Sequence, residues 1–383
     1  MEKTKKRILL VTFEFPPKPG GVENYYYNLI KKSTQYDFVV LTLPYKKASD
    51  FDTDQKFTII REKLLYRFFY PKWFKLFILI KKIVSREKID IIWVGDILPV
   101  GNACYLISKL YKIPYFISTH GMDIMLPQKN KRKELIMKKV LKKSLFITTN
   151  SKYTKLELNN LNIDDTKLKI VYPAPCITDK RYKVSEEDID VELDRHDIRD
   201  KFKLITIGRI VRRKGHKLVI KILPELLNSN PDIVYLVAGT GDYQKELEKL
   251  VIKLNLENNV IFLGKLSNKE LATYYKLSDL FVMPAKNIEG DVEGFGIVYL
   301  EASSFGLPII AGKSGGIAEA VLDNKTGILI NPKNKGELGQ AVLKFINDKK
   351  LYNDISNQGI KYVEEFKWSK QASYLEQIIK EYE

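Results

Sequence analysis

The sharpest chemical signal in the sequence is a pair of carboxylates separated by seven residues. Glu293 stands in a loop that contains glycine, and Glu301 is expected about one turn into the helix that follows. Rises of roughly 3.3 Å per extended residue and 1.5 Å per helical residue allow the two carboxylates to lie about 10 to 20 Å apart. That separation suits contacts with the two ends of an elongated ligand such as a nucleotide-sugar. It does not suit a paired general acid and base.

The segment between these carboxylates can supply backbone donors. Amides that open a helix point toward a ligand and can bind sugar hydroxyls or phosphate oxygens. Isolated carboxylates are more often solvated, but the intervening Gly-Phe-Gly favours a ligand site. The residues predicted to bind a donor here are Glu293, Gly294, Phe295, Gly296, Ile297 and Glu301.

A cationic loop follows the first predicted strand in the second half of the chain. Residues 208–215 read Gly-Arg-Ile-Val-Arg-Arg-Lys-Gly. A diphosphate leaving group without a metal needs cations of this kind. Arg209 and Lys214 are the predicted pair, and Arg212 and Arg213 are interpreted as solvated. A plain basic surface loop gives the same pattern, so this loop alone is not diagnostic.

Two weaker signals lie in the first half. Gly20 and Gly21 stand where a helix should begin, and glycine lets backbone N–H groups approach a phosphate, although a tight turn explains them equally well. His120 follows a predicted strand, where a ligand contact and an ordinary structural histidine are equally compatible. No metal-ligand spacing of histidines occurs, so we expect neither a metal nor another cofactor.

The length and the cysteines limit the class of protein. A chain of 383 residues is too long for one ordinary core and predicts two domains. Cys104 and Cys176 are far apart, which is typical of free thiols in a reducing compartment. The apolar run 8–13 is too short for the core of a signal peptide, so a first buried strand and a cytoplasmic location are expected.

The positive charge is concentrated in the first half. Residues 1–180 carry 34 of the 64 basic side chains but only 17 of the 47 acidic ones, and the rest of the chain is balanced. This asymmetry indicates an anionic partner for the first half, either a membrane surface or nucleic acid. A generally lysine-rich composition is the alternative. Because no helix-turn-helix, zinc-finger or stacking signature occurs, we expect no nucleic-acid partner.

Short β-branched runs alternate with amphipathic segments along both halves, which predicts an α/β fold with two doubly wound parallel sheets. The predicted boundary lies near residue 177, and the polar stretch 185–200 is interpreted as an interruption of the periodicity. The predicted strands are Arg7–Phe13, Phe38–Thr42, Ile89–Val94, Tyr115–Ser118, Leu145–Thr149, Lys169–Val171, Phe202–Ile207, Val234–Ala238, Val260–Leu263, Leu280–Met283, Pro308–Ala311 and Gly327–Ile330.

Together these residues resemble the GT-B glycosyltransferases of family GT4. The wording around Glu293 and Thr119-His120-Gly121 is most similar to mannosyltransferases of the phosphatidylinositol-mannoside type. The matching pieces, in the order typical of the family, are Gly20-Gly21, Thr119-His120-Gly121, Gly208-Arg209, Lys214-Gly215, Ala238 to Asp242 and Glu293 to Glu301.

The resemblance implies a GT-B architecture with two Rossmann-like domains facing across a cleft. Residues 1–177 would bind the acceptor and 178–366 the nucleotide-sugar donor. The helix 367–383 would pack back on the first domain, although its pattern alone favours the second. Where many members have Pro-Asn-Gly, this chain has Pro173-Ala174-Pro175, a departure at the edge between the domains and not at the donor site.

The resemblance also implies roles for individual residues. Arg209 and Lys214 would hold the diphosphate, Glu301 the ribose, Glu293 the transferred sugar, and His120 a sugar hydroxyl near the anomeric carbon; the implied catalytic set is His120, Arg209, Lys214 and Glu293. Leu266 matches the base-contacting stretch. The further donor-binding positions are Gly20, Gly21 and Gly239.

The reaction implied is transfer of a hexose with retained configuration, without a metal, through front-face displacement. Mannose from GDP-mannose is the first expectation, UDP-linked hexoses remain open, and the acceptor would be a lipid or a glycan of the cell envelope. The alternatives are an epimerase or phosphorylase of the same fold, or a non-catalytic protein that binds anionic membranes.

A basic, aromatic segment in the first half could bring the protein to a membrane. Residues 64–82 are interrupted by cations and Pro71 and cannot span a bilayer. They could lie on the inner face of the cell membrane, with Trp73 and Phe74 at headgroup depth and lysines on anionic lipid. The basic stretch 129–143 would assist. Alternatively, 73–84 is an ordinary helix that covers the sheet.

Overall fold

The computed structural model describes residues 5–383. Within them the chain forms two compact units, of which the first runs to Ala174 and is completed by Trp368–Glu383, and the second is Pro175–Lys367. The chain therefore leaves the first unit once and returns to it at the end.

The first unit contains a parallel sheet of seven described strands in the order β3-β2-β1-β4-β5-β6-β7. Its strands are β1 (Arg7–Val11), β2 (Asp37–Thr42), β3 (Thr58–Arg61), β4 (Ile91–Val94), β5 (Tyr115–Thr119), β6 (Ile147–Thr149) and β7 (Leu168–Ile170). Its helices up to Ala174 are α1 (Gly21–Lys32), α2 (Ala48–Thr53), α3 (Phe74–Glu87), α4 (Val100–Tyr111), α5 (Met122–Gln128), α6 (Lys131–Lys143) and α7 (Lys152–Asn160).

The second unit contains a parallel sheet of six strands in the order β10-β9-β8-β11-β12-β13. Its strands are β8 (Phe202–Ile207), β9 (Ile233–Ala238), β10 (Val260–Gly264), β11 (Leu280–Met283), β12 (Ile309–Gly312) and β13 (Ile328–Ile330). Its helices are α8 (Glu186–His196), α9 (His216–Ser229), α10 (Gln244–Lys253), α11 (Asn268–Leu277), α12 (Ile297–Ser304), α13 (Ile317–Ala320), α14 (Lys335–Asn347) and α15 (Lys349–Val363).

Both sheets reverse their strand order at an internal strand. In the first unit β1 lies between β2 and β4, and in the second β8 lies between β9 and β11. Ligands of open parallel sheets bind outside the carboxyl ends of the strands at such a reversal. The loops after β1, β4, β8 and β11 are therefore the positions from which each unit can present functional groups.

The predicted α/β class with two doubly wound sheets is confirmed, and two elements were missed. Strand β3 lies at the edge of its sheet and buries none of its residues fully, so it lacks the apolar run of a central strand. The polar stretch 185–200 is not an interruption, because it contains α8. That helix has no fully buried residue, and its local signal was the capping box of Ser185 and Asp188.

The final helix, α16 (Trp368–Glu381), packs on α1 of the first unit. Its buried Glu376 carboxylate accepts hydrogen bonds from Ser33 Oγ at 2.5 Å, Thr34 N at 2.6 Å and Gln35 N at 2.8 Å. These donors lie just beyond the end of α1, where backbone groups have no helical partner. One carboxylate thus fixes the turn after α1 to the end of the chain.

Across residues 5–383 the structure has no helix with both the length and the apolar character needed to cross a membrane.

Replacing Glu376 tests how strongly α16 stabilises the first unit. Glu376→Ala removes the buried carboxylate that accepts from the Ser33 hydroxyl and the Thr34 and Gln35 amides, so the free energy of unfolding should fall by about 2 kcal/mol in urea titrations. Glu376→Gln keeps an acceptor oxygen and should cost less. The control is Glu381→Ala, which removes an exposed carboxylate 3.6 Å from Lys169 and should change stability by less than about 0.5 kcal/mol. Equal effects of the two alanine variants would contradict this role.

Candidate functional site

The cationic loop of the second unit begins where β8 ends. Arg212–Lys214 form a single 3₁₀ turn, and Gly215 then opens α9 with φ of +86°. A Cβ on Gly215 would lie 2.3 Å from the carbonyl oxygen of Pro284, just after β11. Glycine is needed because this backbone passes directly against the neighbouring strand end. The loop is therefore held at the carboxyl edge where the strand order reverses.

Lys214 and Arg213 both point inward to one carboxylate. Lys214 Nζ lies 2.6 Å and Arg213 Nη1 2.5 Å from Glu293 Oε2. Arg213 Nε also lies 2.8 Å from Asp291 Oδ1. The interpretation of Arg213 as solvated is wrong, because its side chain is buried by this pairing. Arg212 is exposed and pairs with Glu246 at 2.7 Å.

Arg209, the other predicted cation of the pair, is exposed at the start of the same loop. The Lys214 ammonium lies beside it, because a Cβ on the preceding Gly208 would be 3.8 Å from Lys214 Nζ. Burial lowers the pKa of Lys214, and the nearby Arg213 and Arg209 charges act in the same direction. Glu293 opposes the shift. The loop therefore presents one exposed cation next to a buried one.

Glu293 stays ionised in spite of its burial. Burial by itself would raise the pKa of this carboxyl group, but the charges of Lys214 and Arg213 outweigh it and lower the pKa to about 2. Both cations bind Oε2, and within residues 5–383 no group donates a hydrogen bond to Oε1. The carboxylate keeps one oxygen with which to accept from a ligand hydroxyl.

Glycines hold the loop that carries Glu293. Gly316 N donates to the carbonyl oxygen of Glu293 at 3.0 Å. A Cβ on Gly315 would lie 2.3 Å from that same oxygen. Gly296 caps α12 with φ of +94°, and a Cβ there would lie 2.5 Å from the Tyr299 ring. These contacts leave no room for side chains, so the Glu293 backbone and the start of α12 form one compact turn.

The other predicted residues of this turn have distinct environments. Gly294 and Ile297 are partly exposed on either side of the α12 cap. Phe295 is buried and packs on Phe366 with ring centroids 5.7 Å apart, so its side chain belongs to the core and only its backbone can serve a ligand. In the first turn of α12, Tyr299 N donates to Gly296 O at 3.1 Å, and the amides of Ile297 and Val298 can serve as donors to a ligand.

Glu301 lies in the second turn of α12 and is only 6% exposed. Its Oε1 accepts from Cys176 N and Ile177 N, and its Oε2 accepts from Tyr275 Oη, each at 3.2 Å. Burial raises its pKa, and these three donors act against that shift. Oε2 has a further lone pair for a ligand hydroxyl. No local pattern in the sequence indicated Tyr275 or the two amides as partners of Glu301.

Gly239 and Leu266 follow neighbouring strands, β9 and β10. Gly239 N donates to Gly264 O at 2.8 Å. A Cβ on Gly239, whose φ is +133°, would lie 2.0 Å from the carbonyl oxygen of Gly208. Leu266 is half-buried in the short loop before α11. The structure thus brings both residues to the edge that also carries the cationic loop.

In the first unit, the glycine loop encloses one of the chain's own carboxyl groups. Gly20 caps α1, and a Cβ there would lie 2.0 Å from Glu23 Oε2. Lys18 Nζ lies 3.4 Å from Glu23 Oε1 and also binds Glu14. Burial and the Glu14 contact raise the pKa of Glu23 to about 7. Gly20 and Gly21 therefore begin a helix, as predicted, but Glu23 occupies the space beside Gly20.

His120 follows β5 and is enclosed by aromatic rings. Its Nε2 lies 2.9 Å from Tyr26 Oη, and the Tyr25 and Tyr26 rings meet it edge-on at 4.9 and 5.4 Å between centroids. Its backbone N–H donates to Asp123 Oδ1 at 3.0 Å. Burial lowers the pKa of His120 to about 4, so the ring is neutral near pH 7.

Asp96 is a candidate that sequence reasoning missed. It follows β4, and its Oδ2 accepts from Phe13 N at 2.9 Å. Burial raises the pKa of Asp96 to about 7 and that of Asp123 to about 6. A lone aspartate after a buried strand was the only available signal. At the carboxyl edge of the first sheet, burial thus favours the uncharged forms of these groups.

Two family profiles match the chain. Residues 19–174 match the profile described as Glycosyltransferase Family 4, and residues 188–362 match Glycosyl transferases group 1. The matches account for most of both structural units.

Similar curated proteins are named as mannosyltransferases. The GDP-mannose-dependent alpha-(1-6)-phosphatidylinositol monomannoside mannosyltransferase of Mycolicibacterium smegmatis is 26% identical over 350 residues, 89% of each chain. The GDP-mannose-dependent monoacylated alpha-(1-6)-phosphatidylinositol monomannoside mannosyltransferase of Corynebacterium glutamicum is 26% identical over 98% of each chain.

Solved structures share the fold along the whole chain. The Anabaena protein HepE, crystallised in complex with UDP, superposes with a TM-score of 0.82 at 20% identity and covers 98% of this chain and all of that one. A glycosyltransferase from Rickettsia africae gives a TM-score of 0.85 at 19% identity over 99% of each chain. The two parallel α/β units and the two family matches lead to one conclusion: the chain is a glycosyltransferase of the GT4 family with the GT-B fold.

Proposed function

We propose that this glycosyltransferase moves mannose from GDP-mannose to a lipid or glycan acceptor at an anionic membrane surface, with retained configuration and without a metal. The observation that carries the proposal is the cluster of Lys214, Arg213 and Glu293 at the strand-order reversal of the second sheet. It combines fixed positive charge with a carboxylate that has one oxygen left for a sugar hydroxyl.

The cations of this cluster fit the leaving group. When the bond between the anomeric carbon and the diphosphate breaks, negative charge develops on the departing phosphate oxygen. The Lys214 ammonium lies close to Gly208, next to the exposed Arg209, and these two cations would stabilise that charge. One lost donor of this kind typically costs about 3 kcal/mol of transition-state stabilisation.

The state of Glu293 favours front-face displacement over a covalent intermediate. A carboxylate with two cations on Oε2 and a pKa near 2 is a weak nucleophile. In the proposed step the acceptor hydroxyl oxygen bonds to the anomeric carbon on the face from which the diphosphate departs. The hydroxyl proton passes to the departing phosphate oxygen, so no protein base is required. Glu293 Oε1 would hold a hydroxyl of the transferred sugar.

The curated relatives support GDP-mannose as the donor. Proteins named as GDP-mannose-dependent mannosyltransferases match this chain at 25 to 26% identity over 89 to 98% of its length. Their named substrates are phosphatidylinositol mannosides, which supports a membrane-borne acceptor here. The proposal extends these two properties to this chain.

The surface of the first unit supports the membrane part of the proposal. Tyr66 N donates to Lys72 O at 2.9 Å and closes a loop, here called the aromatic loop (residues 66–72). At its tip Phe68 is 89% and Tyr70 87% exposed. Exposed aromatic rings next to lysines and arginines are typical of an interface with anionic lipid.

The predicted anchors differ from those that are exposed. Trp73 is partly buried against the core of the first unit, and Phe74 stacks on Phe77 at 5.6 Å. The placement of Trp73 at headgroup depth is therefore wrong, and the tip of the aromatic loop takes that place in the proposal. The basic helix α6 adds the exposed Leu135 and Ile136.

A transfer assay tests the proposal as a whole. The protein is incubated with GDP-mannose and phosphatidylinositol-containing vesicles, with EDTA or with Mg²⁺, and the glycolipid product is identified by mass spectrometry and its anomeric configuration by NMR. An α-linked product formed equally well in EDTA is expected. Turnover without an acceptor would favour the epimerase alternative, and a β-linked product would contradict retention.

Nucleotide binding should raise the melting temperature in a base-specific manner. GDP at about 100 times its dissociation constant should stabilise the protein by about 2.7 kcal/mol, with or without Mg²⁺. Glu301→Gln can still accept from the amides of Cys176 and Ile177 but loses the charged acceptor for the ribose, so it should fold normally and lose most of the shift. The same melting-temperature measurement is made with UDP, ADP and their nucleotide-sugars. A shift with UDP alone would replace GDP in the proposal, and no shift at all would refute the donor site.

Glu293 should make the stability of the second unit depend on acid. Because its pKa falls from 4.5 to about 2 on folding, its contribution is complete above pH 4.5 and is lost as pH falls toward 2. Glu293→Gln should destabilise the protein by about 3 kcal/mol at pH 7, since Lys214 loses its charged partner and Arg213 keeps only Asp291, and the difference from wild type should shrink below pH 4.5. Glu289→Gln, an exposed neighbour, is the control. A difference that stays constant down to pH 2 would contradict the assignment.

The aromatic loop should control binding to lipid vesicles. Phe68→Ser with Tyr70→Ser should weaken binding to vesicles containing phosphatidylglycerol by about tenfold or more, because two large apolar side chains are lost. Added salt should weaken the wild-type protein further. The matched control is Val191→Ser with Ile252→Ser, which removes exposed apolar side chains from the second unit. Equal binding of both double variants would rule out the loop as the contact.

A further inference from the structure

We propose that Tyr26 is a positioning residue that fixes the tautomer of His120, so that His120 Nδ1 serves as a hydrogen-bond acceptor for a hydroxyl group of the substrate. The inference rests on the proposed function in one respect, which is that His120 contacts the sugar. The tautomer itself follows from the hydrogen bonds of the first unit alone.

The backbone carbonyl of Gly95 determines the direction of the Tyr26 hydrogen bond. Tyr26 Oη lies 2.6 Å from the carbonyl oxygen of Gly95, which can only accept a hydrogen bond. The phenol has one hydrogen, and this contact uses it. Tyr26 is fully buried, and burial raises its pKa well above the usual range, so the phenol keeps that proton.

The proton on His120 follows from this assignment. His120 Nε2 lies 2.9 Å from Tyr26 Oη, whose only hydrogen already points to Gly95. Two lone pairs facing each other would repel, so Nε2 must donate. A neutral imidazole carries one N–H, and Nδ1 therefore carries the lone pair. Among residues 5–383 no group forms a hydrogen bond with Nδ1.

The Gly95 carbonyl, the Tyr26 phenol and the His120 ring are each held in place by their neighbours. Gly95 N donates to Val11 O at 2.9 Å, and a Cβ on Gly95 would lie 2.6 Å from Thr12, so the Gly95 carbonyl is held at the end of β4. Tyr26 lies on α1 and is packed against Trp93 as well as His120. Tyr25 also meets the His120 ring edge-on, and its hydroxyl donates to Val171 O at 3.2 Å.

This polarity restricts what His120 can bind. A lone pair at Nδ1 accepts from an O–H or N–H group and is repelled by an unprotonated phosphate oxygen. His120 is therefore suited to a sugar hydroxyl and not to the diphosphate. A site that is built to pair with a hydroxyl discriminates strongly against a substrate that lacks it.

His216 in the second unit provides an internal comparison with the opposite tautomer. Thr206 Oγ1 donates to Val282 O, so Tyr235 Oη must donate to Thr206 Oγ1 at 2.7 Å. His216 Nδ1, 3.0 Å from Tyr235 Oη, must then be the donor. The hydrogen bonds thus place the ring proton on Nε2 of His120 and on Nδ1 of His216.

The tautomers can be read directly by long-range ¹H–¹⁵N correlation NMR of the intact protein labelled with ¹⁵N-histidine. The chain has three histidines, which single His→Gln variants assign. At pH 7 we expect His120 as Nε2–H and His216 as Nδ1–H. Tyr26→Phe should change the His120 pattern to a mixture and leave His216 unchanged, and Tyr235→Phe should do the reverse. Finding Nδ1–H at His120 in the wild-type protein would overturn the proposal.

Kinetics test the role toward the substrate. His120→Asn places an amide oxygen near the position of Nδ1, whereas His120→Gln places one near Nε2, so Asn should retain at least about tenfold more kcat/KM than Gln. Donor and acceptor analogues that each lack one sugar hydroxyl should reveal one position that matters to His120. Removal of that hydroxyl should lower the kcat/KM of the wild-type protein by about tenfold or more and change the kcat/KM of His120→Gln little. Equal activity of the two variants, or no such position, would overturn the acceptor role. The NMR result stands without turnover, so failure of the proposed reaction is distinguishable from failure of this inference.

Discussion

The buried contact of Glu293 with Lys214 and Arg213 is the interaction on which the second unit's site depends. Taking three charges out of water is expensive, and the cost is offset only when the charges pair closely. Pairing joins the 3₁₀ turn after β8 to the loop before α12, two segments almost 80 residues apart. Since the side chains proposed to contact the ligand are the ones that join these loops, substitutions there are expected to affect the local fold as well.

Glu293 in the second unit and three buried groups in the first unit have pKa values that shift in opposite senses relative to the effect of burial. In the second, nearby cations outweigh burial and hold Glu293 ionised. In the first, burial prevails, and each pKa moves in the direction that favours the uncharged form: up to about 7 for Glu23 and Asp96, and down to about 4 for His120. Fixed charges suit a diphosphate, whereas neutral donors and acceptors suit hydroxyl groups. The electrostatics of each unit are consistent with the kind of substrate group proposed for it.

The sequence predicted the elements that have strong periodicity and failed where tertiary contacts decide. Both sheets were predicted because their central strands are apolar runs. Arg213 was misjudged because a cation next to two others in a loop looks solvated, and only the fold brings Asp291 and Glu293 to it. Trp73 was misjudged because residue type alone does not distinguish an aromatic side chain at a surface from one in a core. The partners of His120 and Glu301 come from α1 and α11, and no local spacing connects them.

The course of the chain adds a constraint on how the first unit is completed. Its sheet is built from residues before Ala174, but α16, which holds Glu376, belongs to the same unit and follows nearly 200 residues later. Contacts of such sequence separation form late, because loop closure must precede them. The turn after α1 lacks its buried acceptor until then. A fragment that ends at residue 174 would therefore expose the apolar face of α1 and leave the Thr34 and Gln35 amides unpaired. Tests of acceptor or lipid binding for this reason require the full chain.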